Sequence, residues 1–471
     1  MDNMNLPAIN DRKLKELLKK DFEDCIAEVV EAIDTAKAGS VIDDSEEPVR
    51  RATGKLRQKI FEKALQMKMD AAQAAFSPSG RNKKKSKFRH KGKQSVEHST
   101  VNGVVNVNRI YFWSAEEGRD DTIDRLIGIA AGKVSIGVRQ MCCRVAASQQ
   151  GFAKASKHLK HLAQLSVSYE RLRQIVEVEG QLVLEVQRKG LLAAEFTAEN
   201  CKISPKGPKR LYVGTDGVKV PMVTEAEKNK RRKARGPKRT GGRRRRMHKG
   251  ADNPYKEFKI ATFYNESNEH RQVIATSGNH EVIGRQLRRE AKRLKITDAD
   301  QKVAVADGAE WIRKQLKSKL PMLDSQILDF YHLSEHVWKA ANICFNQGSD
   351  KAKEFASEIL HIAKHEGPAE LLSKLTDERK KYRSKAKRKS LNELIKYIAR
   401  RFEMCDYPKF IEQGWQIGSG PTEAMCKVLT YRLKGAGMRW DRPGADAIMA
   451  LIALEQSNTW KSYWDVRKRA A

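Results

Sequence analysis

A chain of 471 residues exceeds the length at which one hydrophobic core stops growing, so roughly two to four domains are expected. Its 92 Lys and Arg against 59 Asp and Glu leave a formal charge of +33, which favours a polyanionic partner, nucleic acid, over a membrane surface or an acidic protein. The longest apolar run, residues 447–454, is far short of the roughly 18 needed for a membrane span, and the acidic, polar start does not read as a secretory signal, so a cytoplasmic location without membrane attachment is expected.

In chain order, residues 11–36 place Leu14, Leu17, Leu18, Phe22, Ile26, Val29, Val30 and Ile33 at three- and four-residue steps, predicting an amphipathic helix. A second helix is predicted over 49–76, completing a helical head at 1–80. Residues 81–93 hold eight Lys or Arg and no acid, and read as an exposed linker. Alternating apolar residues around an Asn-Gly pair predict a short hairpin at 101–113, so 81–120 forms a basic linker with a small β element.

Residues 121–187 are helical, with a break at Leu165-Ser-Val-Ser168 where Ser168 would cap the following helix. This helix-turn-helix pattern gives 121–204 two readings. One is a DNA-reading helix carrying Arg171 and Arg173; the other is an ordinary helical hairpin with solvated charges.

The pattern then changes. Two apolar strands each end in Asp-Gly, at Asp216 and at Asp307, and a third strand is predicted over 326–332. A hairpin at 258–264 and 271–276 and a basic helix at 282–294 lie between the first two. Residues 205–332 are therefore a mixed α/β layer, followed by helices throughout 333–410 and a final segment at 411–471.

Phosphodiester cleavage needs hard divalent cations, and these prefer converging oxygen ligands. An Asp at the end of each of two neighbouring strands can set two carboxylates side by side on one sheet edge, although Asp-Gly is also a routine turn. In Gly418-Ser-Gly-Pro-Thr-Glu423, a glycine-rich entry and a Pro suited to a first helical turn precede an acid near a helix start. Glu423 can face the sheet edge, or can simply complement the helix dipole and pair with Lys427.

The ordered set Val-Gly-Thr-Asp216-Gly, Val-Ala-Asp307-Gly-Ala-Glu-Trp-Ile, Asp329-Phe-Tyr-His332 and Gly-Ser-Gly-Pro-Thr-Glu423 resembles the DDE transposases of bacterial insertion sequences, in particular the Kra-type group. The likeness covers roughly residues 205–460, including Leu433-Lys-Gly-Ala-Gly-Met-Arg-Trp440, and is loose in the head. It implies an α/β, RNase H-like catalytic core with an all-helical insertion, preceded by mainly helical DNA-binding segments.

It further implies that Asp216, Asp307 and Glu423 hold two Mg2+ (or Mn2+) ions, with Asp329 and His332 beside them orienting the scissile phosphate or a ligand. The 116-residue gap from Asp307 to Glu423 suits the family's insertion domain at 333–410. The expected activity is cutting of element ends and joining of a 3'-hydroxyl to target DNA. A homodimer or larger assembly on double-stranded DNA is expected, with the protein at the bacterial nucleoid. Relatives often carry a cysteine-rich zinc element in the head; residues 88–113 have no cysteine, so zinc is not expected. The seven scattered cysteines are expected to be buried thiols.

Basic runs supply the DNA-binding candidates. Thirteen of the 22 residues at 228–249 are Lys or Arg, among them Arg231, Arg232, Lys233, Arg243, Arg244, Arg245 and Arg246, and eight of the 11 at 379–389 are. The first run follows the Asp216 strand, which suits phosphate binding near the active edge. Tyr255, Trp311, Tyr331, Trp415 and Trp440 are candidates for stacking on an unpaired base. Two other functions fit the same features: an RNase H-like nuclease that only cuts, and a non-catalytic DNA-binding regulator derived from a transposase.

Overall fold

The computed structural model describes residues 6, 8–76, 88–116, 118–119, 122–128, 133–226, 229, 256–435, 438 and 440–469. The basic run at 228–249 thus lies outside the described residues except Asn229, as do Arg231, Arg232, Lys233, Arg243–Arg246 and Tyr255. The chain forms two compact units, 1–179 with 464–471, and 180–463.

In the first unit, α1 (Asp11–Asp34) packs on α2 (Val41–Phe76), which begins eight residues earlier than the sequence pattern suggests. The face α1 buries also differs. Leu18 and Cys25 are covered, while Leu17, Phe22, Ile26, Val30 and Ile33 are exposed, because two apolar stripes overlap on this helix and only one meets α2.

The hairpin is longer than predicted. Strand β1 (Arg89–Thr100) pairs antiparallel with β2 (Gly103–Ser114), so residues 89–93 belong to a strand rather than to a linker. Strand β3 (Gly118–Arg119) adds a short third edge. Val105 and Val107 alternate inward against Met69, Ala72 and Ile123, as a half-buried strand requires. Helices α3 (Thr122–Ile127), α4 (Ile136–Ser148), α5 (Phe152–Ala163) and α6 (Tyr169–Arg188) follow, and the second unit begins within α6.

The second unit is built on a five-stranded sheet of β4 (Arg210–Val220), β5 (Lys256–Asn265), β6 (Arg271–Thr276), β7 (Gln301–Ala306) and β8 (Ser325–Leu328), ordered β6-β5-β4-β7-β8. The β4–β5 and β5–β6 pairs are antiparallel; β4–β7 and β7–β8 are parallel. Apolar residues sit on both faces, as parallel strands covered on two sides demand. Leu211, Val213, Ala304 and Ala306 meet α7 (His280–Arg293) and α8 (Glu310–Lys319) through Ile283, Leu287, Ile312 and Leu316.

Tyr212, Val303, Val305, Ile327 and Leu328 form the other core face with α9 (Phe330–Phe345), α10 (Asp350–His365), α11 (Pro368–Lys380), α12 (Lys385–Ala399) and α13 (Tyr407–Glu412). The helical stretch expected at 333–410 therefore shares its core with the sheet. Helices α14 (Gly420–Lys434), α15 (Arg442–Gln456) and α16 (Trp460–Arg469) complete the described chain. No helix among the described residues is long and apolar enough to cross a membrane, and all seven cysteines are free and buried, as expected.

Candidate metal centre at the carboxyl edge of the parallel strands

Strand register brings the aspartates together. The parallel ladder pairs Thr215 with Ala306 and then ends; continued by one residue, it sets Asp216 beside Asp307. The next ladder pairs Ala306 with Leu328, and its continuation sets Asp307 beside Asp329. Three aspartates thus stand in a row just past the last rungs of the parallel β4–β7 and β7–β8 ladders, the edge at which open α/β sheets bind ligands. Strand β4 does not end at Asp216-Gly217 as predicted. It runs on to Val220 because β5 continues to pair with it, Asp216 facing Ile260.

Helix α14 delivers Glu423 by a close approach. A Cβ on Gly214 would lie 1.8 Å from the Thr422 hydroxyl oxygen, so only glycine lets the helix sit this close to β4. The Thr422 and Thr262 hydroxyls share a hydrogen bond of 2.6 Å, fixing the first turn of α14 across β4 and β5. Glu423, next in sequence, is half-buried.

The predicted 326–332 strand is a strand only to Leu328. Asp329 caps α9 instead, and His332 lies in that helix's first turn. Asp329 is fully buried: Oδ1 accepts from the Tyr331 N–H at 2.7 Å, while Oδ2 accepts from the Ser419 N–H at 3.0 Å and from the Ser419 hydroxyl. Because Ser419 precedes α14, this tether draws Glu423 towards Asp329. Asp329, His332 and Glu423 each offer a ligand atom within 4.8 Å of the other two, so these three together could hold a metal ion. Neither Asp216 nor Asp307 belongs to that tightest trio.

His332 Nδ1 lies 3.4 Å from Glu335 Oε2, an orienting contact of the kind that leaves Nε2 to face a metal. One nitrogen among carboxylates departs from the all-oxygen set Mg2+ prefers.

Burial raises the Asp216 carboxyl above its usual range; hydrogen bonding from Gly217 opposes this, and the charge of Asp307 adds to it. Its Oδ1 accepts from the Gly217 N–H at 2.6 Å, and Oδ2 from the Cys426 thiol at 3.5 Å. Burial and the neighbouring Asp216 push that thiol up, keeping it protonated as a donor. Two carboxylates that repel each other in a half-buried setting are what a divalent cation would relieve, so the donors fit such an ion.

Sequence reasoning missed the clamp behind Asp307. The Tyr397 hydroxyl donates to the Asp307 carbonyl at 3.3 Å, and Arg401 Nε donates to the Gly308 carbonyl at 3.1 Å. The Arg401 guanidinium lies 3.9 Å from the Tyr397 ring centroid, and His336 stacks on that ring at 3.8 Å. Gly308 has φ +71°, and a Cβ there would come within 2.7 Å of Arg401 Nε. The one signal in sequence was the Asp-Gly pair itself. Cys426 was legible only as an i+3 neighbour of Glu423.

The DNA-reading candidates fare differently. Ser168 Oγ accepts from the Arg171 N–H at 3.3 Å, so the predicted cap is present. Arg173 is engaged, with Nη1 2.8 Å from Glu177 and Nη2 3.4 Å from Glu170, which leaves its charge largely neutralised. Of the stacking aromatics, Tyr331 is 71% exposed, whereas Trp440 is buried with Arg432 5.0 Å from its ring and Trp415 stacks on Phe410; those two serve packing. Trp311 is half-buried beneath Lys259.

No curated protein matches the sequence. A family profile spanning residues 35–468 does, and the chain belongs to the uncharacterised protein family UPF0236.

Proposed function

We propose that this protein is a DDE-type transposase, which cuts the ends of an insertion sequence and joins the freed 3'-hydroxyl to target DNA. One observation carries the proposal: acids from four separate stretches of sequence meet at the carboxyl edge of the parallel strands. A sheet with three antiparallel and two further parallel strands, crossed by the Glu423 helix, supports reading the core as RNase H-like.

Asp216 and Asp307 would hold one divalent ion; Glu423, with His332 and Asp329, would hold a second. Such ions activate the attacking oxygen and neutralise charge on the leaving oxygen. The chain's residues supply position. Thr422 and Gly214 set the depth of Glu423, Ser419 ties its helix to Asp329, and Tyr397 with Arg401 hold the Asp307 loop. In cleavage, water attacks phosphorus and the bond to the 3' oxygen breaks; in joining, the freed 3'-hydroxyl replaces water and a target phosphodiester bond breaks in exchange.

The test uses duplexes drawn from the DNA flanking the coding sequence, with Mg2+ or Mn2+. Wild-type protein should cut and join; Glu423→Gln and Asp216→Asn should lose about a hundredfold or more of cleavage while binding duplex nearly as well. Variants that cut at the normal rate would overturn the assignment. Cutting without joined product would leave a nuclease, and binding without cutting in wild type would leave a regulator.

A further inference from the structure

Helix α12 has a solvent face that the proposed chemistry leaves unused. Lys385, Arg388, Lys389, Lys396 and Arg400 are all exposed, and three- and four-residue steps and their multiples place them along one side. Glu393, the helix's one acid, is exposed on the same side between Lys389 and Lys396, so the stripe carries five cations to one acid. The nearby acids Asp377 and Glu378 are already paired with Lys380 and Lys381.

This arrangement works against the helix. Its first turn holds no acid, Ser384 provides no side-chain cap, and cations crowd the end where the macrodipole is positive. A face that merely needed to be soluble would gain from evenly mixed charges; a stripe of five cations to one acid repels itself unless a polyanion neutralises it. The far end of the helix abuts the metal-binding edge, through the bonds from Tyr397 to Asp307 and from Arg401 to Gly308.

We propose that this face of α12 is a track for the phosphate backbone of duplex DNA running away from the cleavage edge. The proposal rests on the transposase reading only for where the track begins. The 15 residues of α12 span about 22 Å at 1.5 Å per residue. That length matches about six to seven base pairs at 3.4 Å each.

The experiment measures equilibrium binding of the full-length chain, in EDTA so that nothing is cut, to duplexes extended stepwise past the cleavage point. A quadruple variant, Lys385→Gln, Arg388→Gln, Lys389→Gln and Lys396→Gln, is compared with the wild type and with a charge-preserving Lys385→Arg, Lys389→Arg, Lys396→Arg control. Wild type and control should gain affinity up to about six or seven added base pairs and then level off, and the quadruple variant should not. The quadruple variant's slope of log K against log salt should flatten by about 0.9 per lost contact, roughly 3 to 4 in all.

A folded quadruple variant that keeps the wild-type slope and length dependence would overturn the track. An equal loss for single-stranded oligonucleotides would overturn duplex as the occupant. Length-dependent binding by a protein that never cuts would sink the transposase reading and leave the track standing. Normal cutting with no dependence on α12 would do the reverse.

Discussion

Replacing Gly214 by Ala tests how Glu423 is positioned without touching any metal-binding group. The added Cβ would lie 1.8 Å from the Thr422 hydroxyl, 2.9 Å from Thr422 Cβ and 3.2 Å from the Thr262 hydroxyl. Turning the Thr422 side chain removes the worst contact but loses the 2.6 Å bond to Thr262, and Cβ still crowds Cβ, so α14 must lift from the sheet. Overpacking costs about 1–3 kcal/mol and the lost hydrogen bond about 1 kcal/mol more, together about 2–4 kcal/mol. In a unit of this size the melting temperature should fall by about 5–10 °C.

Catalysis should suffer more than stability, because a displacement of about 1 Å at a reacting group costs on the order of a hundredfold in rate. Calorimetry and end-labelled cleavage assays measure the two effects on the same preparations. Adding Thr422→Ala to Gly214→Ala removes the 1.8 Å contact but leaves Cβ against Cβ at 2.9 Å and no bond to Thr262, so it should restore only part of the melting temperature and of the activity. A Gly214→Ala protein with wild-type melting and cleavage within about twofold would refute the close-approach argument.

Asp329→Asn keeps an acceptor for only part of the set formed by Tyr331 N–H, Ser419 N–H and the Ser419 hydroxyl. It should cost about 1–3 kcal/mol in calorimetry and hasten amide exchange at Ser419; unchanged exchange there would mean that the tether does not hold the entry to α14. In the first unit, Glu179 is fully buried, with Arg139 Nη1 3.0 Å away and Arg467 Nε 3.2 Å away. Glu179→Gln should therefore lower stability by about 3–5 kcal/mol in urea titration, and a loss below about 1 kcal/mol would show that the two arginines find other partners.

Much of the five-stranded sheet was legible because its strands carry local signals. Val303-Ala-Val-Ala306 is a short apolar run of the kind that two-sided burial produces, and each Asp-Gly pair falls where a ladder with a neighbour stops. Register was not legible. That Asp329 falls beside Asp307 depends on how β8 aligns with β7, and no local pattern encodes an alignment between strands 22 residues apart.

Strand β1 was hidden for the opposite reason. From Arg89 to Thr100 it is mostly polar and exposed, so its pairing with β2 left no apolar alternation to read. On α1, periodicity was present in excess, and tertiary packing chose between two stripes. Tyr397 and Arg401 sit in a helical region whose evident feature is its charge, and their role appears only when Gly308 comes beneath them.

The shared core of sheet and helices bears on synthesis. When Leu328 leaves the ribosome, Tyr212, Tyr264, Val303, Val305 and Ile327 already form an apolar face, but the side chains that cover it extend to Phe410. About 80 further residues must be made first, which takes roughly 4–16 s at 5–20 residues per second. Throughout that interval the apolar face of the sheet lacks the helices that cover it, the kind of surface that recruits chaperones or aggregates. The amount of folded protein a cell obtains is therefore sensitive to the speed of translation across residues 330–410, a stretch that contains only His332 of the three residues that could hold a metal ion.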